Sequence, residues 1–161
     1  MPNGRTHRAV GTACGVLTAA VRARPEDGEA NLLVMIGAGV GAYITARWPD
    51  LLEPATCPRH RQVAHSVAVG GGLLSCAVRA VPGWEVHWRW VAMQARNRRS
   101  QPGTAPSDQL LLLAIELVAW LLVGVLAGMA AGYVSHLVLD GCTPAGLPLL
   151  GLCAQSSSFS F

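Results

Sequence analysis

The sequence has 161 residues, of which 52% are hydrophobic and 13% are charged, and its mean hydropathy is +0.38. This composition argues against a water-soluble globular domain. Several apolar stretches approach the length that crosses a bilayer, which predicts an all-α integral membrane bundle in contact with membrane lipids. The formal net charge of +3 does not provide the basic face of a nucleic-acid-binding protein, so we expect no nucleic-acid partner.

The first half of the chain contains two expected membrane helices. Residues 8–23 are apolar and alanine-rich, and we interpret them as a retained helix because no convincing signal-peptide cleavage site follows. A polar turn leads to a second helix at 31–48, whose spaced glycines would allow close packing inside lipid. Two acids, Asp50 and Glu53, follow just outside this helix.

The second half contains two further expected membrane helices, at 62–81 and 109–139. Between them, tryptophans alternate with charged residues, and the run ends in several arginines. Indole rings favour the membrane–water boundary, so we predict a surface-lying amphipathic helix that starts at Gly83 and ends in a flexible linker. The last helix is roughly 45 Å long, which exceeds a bilayer core, and its apolar run contains one acid, Glu116.

His136 and Asp140 stand four residues apart near the end of the last helix. That spacing places both side chains on one helix face, with Cβ atoms about 5–6 Å apart, where they could bind a shared cation or form a simple ion pair. Four membrane crossings would bring these two residues to the same membrane face as several other polar residues. The predicted cluster comprises His7, Asp50, Glu53, His60, His65, His136 and Asp140.

The same residues occur in short motifs: Thr6-His7, Pro49-Asp50, His60-Arg61 with His65-Ser66, and Gly132-Tyr-x-Ser-His-x-x-Leu-Asp-x-x-Thr-x-x-Gly146. Together these motifs resemble the LexA-regulated, membrane-bound metal-dependent hydrolases, the YdjM-like family, from the N-terminus to about residue 150. The order of histidines and aspartates is also distantly similar to zinc-dependent phospholipase C enzymes. That similarity implies metal ligands at His7, Asp50, His65, His136 and Asp140. We expect one domain at 1–150 and a disordered tail at 151–161.

The resemblance implies hydrolysis of a phosphoester or lipid-like ester by a metal-activated water, with Zn²⁺ as the expected ion and a small-molecule or lipid substrate. Glu53 or His60 could accept the proton, and the guanidinium of Arg61 could hold a phosphate oxygen. Ser66 and Ser135 are expected to orient the adjacent histidines. Two alternatives are a membrane protein that binds or moves metal without hydrolysis and a purely structural membrane protein.

The resemblance also implies a multi-pass protein of the bacterial inner membrane. Seven arginines lie on the tryptophan side of the expected bundle and five on the side of the histidines. Because arginines collect on the cytoplasmic side, we expect a cytoplasmic tryptophan segment and a site that faces outward.

Overall fold

The computed structural model describes residues 4–53, 63–142 and 147, and the regular secondary structure in this part of the chain is entirely helical. The α-helices, in chain order, are α1 (Gly4–Val21), α2 (Ala30–Thr45), α3 (Trp48–Leu52), α4 (Val67–Arg99) and α5 (Pro106–Gly141). A single 3₁₀ turn, Pro25–Asp27, connects α1 to α2. The expected all-α bundle is confirmed, whereas His60, Arg61 and the expected tail at 151–161 lie outside the described residues.

Three stretches are long and apolar enough to cross a membrane: Ala30–Leu52, Val67–Arg99 and Pro106–Gly141. The expected N-terminal helix is also present as α1, but it begins at Gly4 and includes Arg5, His7 and Arg8 in its first two turns. Because of these polar residues, α1 is less apolar than the three stretches that could cross a membrane.

Helices α2 and α5 run parallel to each other and make the closest contact of the bundle. A Cβ at Gly124 would overlap the carbonyl oxygen of Val34. Four residues further along both helices, Gly128 lies against Ala38 in the same way. The spaced glycines of α2 serve the same purpose, as expected, because Gly37 lies directly against the backbone of α5. This contact brings the C-terminal ends of α2 and α5 to the same end of the bundle.

Helix α1 is antiparallel to α2 and packs against it through small residues. A Cβ at Gly11 would meet Ala46, and one at Gly15 would meet Ala42. The start of α1 therefore lies at the end of α2. The start of α4 completes the same end, because Tyr133 of α5 donates a hydrogen bond to the carbonyl oxygen of Ala64.

The separate amphipathic helix predicted from Gly83 is wrong, because α4 continues without a break across Pro82 to Arg99. Proline is tolerated in membrane helices when neighbouring groups support the backbone around it. Here the indole Nε1 of Trp84 donates a hydrogen bond to the carbonyl oxygen of Leu122 in α5, which ties the two helices together just beyond the proline.

Two charged residues among the tryptophans of the same segment, Glu85 and Arg89, face the bundle. Glu85 is buried and forms an ion pair with Arg22 at 2.8 Å. Arg89 is also buried and pairs with Asp27 in the 3₁₀ turn. The alternation that indicated an interfacial helix is thus an ion-pairing pattern, with charges placed to hold α4 against the rest of the bundle.

Glu116 is buried in α5 and is paired with arginines of α4. Its two carboxylate oxygens accept hydrogen bonds from Arg96 at 2.6 Å and from Arg99 at 2.8 Å. The predicted linker between the two helices is a hydrogen-bonded turn, in which the hydroxyl of Thr104 donates to the carbonyl oxygens of Arg98 and Gln101.

Candidate metal centre

Histidine and aspartate side chains from four parts of the chain converge at the end of the bundle where α1 and α4 begin and α2 and α5 end. The residues that meet here are His7, Asp50, His65, His136 and Asp140. Four of them are at most 3% exposed, whereas the side chain of Asp50 is 35% exposed. The cluster is therefore buried inside the protein and opens outward beside Asp50.

His136 is oriented by a hydrogen bond from its Nδ1 to the carbonyl oxygen of Ala46, at 2.7 Å. The carbonyl can only accept, so Nδ1 carries a proton and the opposite nitrogen, Nε2, has a lone pair in the neutral ring. Nε2 is buried and makes no hydrogen bond of suitable geometry within the described part of the chain. It faces Asp140 Oδ2 at 3.3 Å and Asp50 Oδ1 at 3.5 Å.

A lone pair directed at two carboxylate oxygens is stable only when a positive charge lies between them. Either a proton on His136 or a bound cation supplies that charge. A histidine whose Nδ1–H is held by a backbone carbonyl while Nε2 points toward carboxylates has the usual arrangement of a metal-binding imidazole.

His65 is held in a comparable way at the turn before α4. Its Nδ1 lies 3.0 Å from Glu53 Oε2, and the other oxygen of Glu53 accepts a hydrogen bond from the backbone N–H of Ala64. Its Nε2 faces Asp50 at 3.4 Å and Asp140 at 3.6 Å. Burial favours the neutral ring, but the contacts with Asp50 and Glu53 outweigh burial and raise the pKa of His65 above its usual value.

The distances among these donors suit a small divalent cation. An ion that binds nitrogen and oxygen at about 2.0–2.2 Å in a tetrahedron holds neighbouring donors about 3.3–3.6 Å apart. The four separations between the Nε2 atoms of His65 and His136 and the nearest oxygens of Asp50 and Asp140 are 3.3, 3.4, 3.5 and 3.6 Å. Imidazole and carboxylate together are donors that zinc, manganese and iron accept.

His7 adds a further donor next to this set. Its ring stacks on the ring of His136, with centroids 3.9 Å apart, and its Nε2 lies 3.7 Å from Asp140 Oδ1. The two oxygens of Asp140 therefore face different histidines, Oδ1 toward His7 and Oδ2 toward His65 and His136. A carboxylate in this position is able to bridge two ions, so the geometry fits one ion or a pair.

The structure brings together all five residues predicted as metal ligands and adds partners that the sequence did not indicate. The carbonyl of Ala46 and the side chain of Glu53 orient His136 and His65. The roles expected for Ser66 and Ser135 are wrong, because their hydroxyls donate to the backbone carbonyls of Val63 and Gly132. Ser66 instead caps α4 by accepting the N–H of Val69.

Comparison with known proteins identifies the family. A family model described as "YdjM inner membrane protein" matches residues 1–151. No curated protein and no solved structure matches the chain. The match covers nearly the whole sequence, and the three apolar helical stretches agree with a membrane location. The chain therefore belongs to the YdjM inner membrane protein family and is a multi-pass protein of the inner membrane.

Proposed function

We propose that the protein is a membrane-bound, metal-dependent hydrolase that cleaves a phosphoester or a lipid-like ester with a metal-activated water. The observation that carries this proposal is the buried Nε2 of His136, which faces Asp50 and Asp140 without a hydrogen bond of suitable geometry among the described residues. The family match supports the membrane location. The metal and the reaction are our inference from the donor set.

In this proposal His65, His136, Asp50 and Asp140 hold the ion, most simply Zn²⁺, and His7 with the second oxygen of Asp140 holds a neighbouring one or orients Asp140. When bound, such an ion would supply hydroxide at neutral pH, because it lowers the pKa of a coordinated water to about 7. Buried surroundings strengthen this effect by excluding competing water.

The residues around the donors have separate tasks. Ala46 and Glu53 hold the rings of His136 and His65 so that both Nε2 atoms point inward. Asp50, the most exposed member, marks the side from which a substrate would reach the site. The proposal also includes two roles expected from the sequence. Glu53 or His60 accepts a proton, and Arg61 contacts a phosphate oxygen.

A metal carrier without hydrolysis is the second candidate, and no specific observation favours it. A conduction path would need polar groups along the interior of the bundle. The buried acids Glu85 and Glu116, which lie away from the metal centre, are paired with arginines instead. These pairs hold helices together and leave no chain of free donors within the described residues.

Elemental analysis of the full chain purified in detergent tests the first step. We expect a stoichiometric divalent metal in the wild type and none in His136→Ala. His87→Ala is the matched control, because His87 is exposed on α4 and its ring contacts Trp88. A wild-type protein that contains no metal after purification and binds none on titration would contradict the metal centre.

Hydrolysis assays with phosphomonoester, phosphodiester and carboxyl ester probes in mixed micelles test the second step. The metal-loaded wild type and His87→Ala should hydrolyse one class of probe, whereas His136→Ala should be inactive. Metal-loaded protein that hydrolyses none of the three classes would favour the carrier.

A further inference from the structure

Three arginines line a polar cleft at the same end of the bundle as the metal centre. The cleft has a volume of about 450 Å³, and its walls are Gly4, Arg5, Arg8 and Arg47. Arg8 follows His7 in α1, and Arg47 follows Ala46, the residue whose carbonyl orients His136. Two residues of the cleft are thus next in sequence to a candidate ligand, His7, and to the residue that orients His136.

The guanidinium of Arg8 is held in place by Tyr43, and the side chain of Arg47 packs against Gly4. The Nη1 of Arg8 donates a hydrogen bond to the hydroxyl of Tyr43 at 2.8 Å, and its guanidinium carbon lies 4.7 Å from the centre of the same ring. The side chain of Arg47 lies over Gly4, where a Cβ would be 3.1 Å from its Nε. Preorganised guanidinium groups lose less entropy when they bind a ligand.

Two arginines of the cleft, Arg8 and Arg47, have no acidic partner in the part of the chain that the structure describes. Among the described residues, no carboxylate lies within ion-pair distance of Arg8 or Arg47, and the Nε of Arg47 is buried without a hydrogen-bond partner. The undescribed parts of the sequence contain no aspartate or glutamate. The acids at this end, Asp50, Glu53 and Asp140, contact histidines instead.

Four arginines at the opposite end of the bundle, by contrast, have acidic partners. The four paired arginines there are Arg22, Arg89, Arg96 and Arg99, each of which contacts a buried acid of the bundle. The cleft therefore brings together the guanidinium groups of Arg8 and Arg47, neither of which pairs with a carboxylate of the described residues. The planar fork of a guanidinium matches the oxygens of a phosphate group, often with two hydrogen bonds.

We propose that Arg8 and Arg47, with Arg5 at the rim, bind the phosphate group of an anionic ligand. Its source is either the headgroup of an anionic phospholipid or a water-soluble phosphoester. Binding of an anion in the cleft does not depend on the proposed function. The role of the cleft in positioning the substrate's phosphate beside the metal centre does rest on the proposed function. In that case the substrate is a phosphoester and not a carboxyl ester.

The test measures binding of two probes to the full chain in detergent, with metal removed by a chelator. Inorganic phosphate is titrated by calorimetry, and phosphatidylglycerol is titrated by native mass spectrometry against phosphatidylcholine with the same acyl chains. We compare the wild type with Arg8→Gln/Arg47→Gln and with Arg98→Gln, an exposed arginine at the far end of α4.

We expect the double variant to bind at least one of the two probes about tenfold or more weakly than the wild type, because each charge-assisted contact contributes that much. Arg98→Gln should bind like the wild type. Loss confined to phosphatidylglycerol identifies a lipid headgroup, and loss confined to inorganic phosphate identifies a soluble ligand. Tyr43→Phe, which keeps every charge but removes the hydroxyl that orients Arg8, should weaken the same probe less.

Two results would overturn the proposal: a wild type that binds neither probe, or an Arg98→Gln variant that weakens binding as much as the double variant does. Metal content measured on each variant before the chelator is added separates this question from the proposed function. A double variant that retains wild-type metal and melting temperature but loses the probe supports the cleft, even when no hydrolysis is found.

Discussion

His136 of α5 donates a hydrogen bond from Nδ1 to the carbonyl oxygen of Ala46, directly after α2, at 2.7 Å across 90 residues of sequence. The same 90-residue offset pairs Gly124 with Val34, Gly128 with Ala38 and Gly132 with Ala42. His136 is thus the next member of a series that repeats every four residues along α5. The contact that packs the two helices also sets the direction in which His136 points.

This relationship predicts that changes in helix packing alter the metal centre. In Gly132→Ala the new Cβ would overlap Ala42 and Thr45, so α5 must shift away from α2. We expect a loss of about 1–3 kcal/mol in the free energy of unfolding, as for other overpacked cores, together with weaker metal binding. Thermal unfolding in detergent and elemental analysis measure the two effects.

Gly71→Ala is the matched control for Gly132→Ala. Gly71 is also helical, but a Cβ there would meet nothing within 4 Å. This variant should keep its metal and gain slightly in stability from the better helix propensity of alanine. Equal metal loss in both variants would show that the series of small residues does not position His136.

Glu53→Gln tests whether the orientation of His65 matters separately from the number of ligands. The amide keeps the size of the side chain but removes the charge that faces Nδ1 of His65. Loss of such a carboxylate partner typically weakens metal binding about 10–100-fold. Competition with a chelator of known affinity measures this change, and Glu29→Gln, an exposed acid at the start of α2, serves as control. An unchanged affinity would mean that Glu53 has no part in holding the imidazole.

The local part of the candidate site could be predicted from the sequence, because helix geometry alone relates His136 to Asp140. The separation of 3.3 Å between their donor atoms follows from a spacing of four residues. The link between His136 and Ala46 could not be predicted, because it depends on the parallel register of two helices far apart in sequence. Single-sequence patterns show that α2 has small residues but not which helix they contact.

The wrong prediction of a separate helix within α4 has a similar origin. The alternation of tryptophans with charged residues after Gly83 is a local pattern, and it predicted a separate interfacial helix. Tertiary contacts outweigh it, because the ion pair between Glu85 and Arg22 and the hydrogen bond from Trp84 hold the continuous helix in place. The partner of each charge is the information that a sequence pattern lacks.

Glu116→Gln tests whether the opposite end of the bundle has a purely structural role. The buried carboxylate pairs with Arg96 and Arg99, whose side chains are partly exposed and so remain hydrated after its removal. We expect a loss on the order of 1–3 kcal/mol in the free energy of unfolding, with unchanged metal content. Thermal unfolding of the wild type, Glu116→Gln and Asp108→Asn, an exposed acid at the start of the same helix, makes the comparison. Loss of metal in Glu116→Gln would argue for coupling between the two ends.

Metal binding should compete with protons at His65. The pKa of His65 is raised by Asp50 and Glu53 despite its burial, so the metal-free site retains a proton above the pH at which a free histidine loses it. An ion must displace that proton, so apparent affinity should increase with pH and fall as the pH drops through the raised pKa. The stabilising effect of charged His65 on the metal-free protein has the opposite dependence and is lost as the pH rises through that pKa.

Calorimetric titration of metal in two buffers with different heats of ionisation counts the protons released. We expect net release upon binding to the wild type near neutral pH. In Glu53→Gln, where one of the three carboxylate contacts of His65 is lost, fewer protons should be released. An affinity that does not change with pH would contradict the assignment of His65 as a ligand.

His136→Ala and Asp140→Ala test whether the pair at the end of α5 acts as one unit. If both side chains hold the same ion or the same pair of ions, each single variant already lacks a complete set of donors and should lose its bound metal. The double variant should then be no worse than either single one, because residues that act together are strongly non-additive. Elemental analysis and thermal unfolding with and without added metal measure this, with His87→Ala as control. If Asp140→Ala retained full metal occupancy, the carboxylate would be only an ion-pair partner of His7, His65 and His136, and the metal centre would have to be assigned without it.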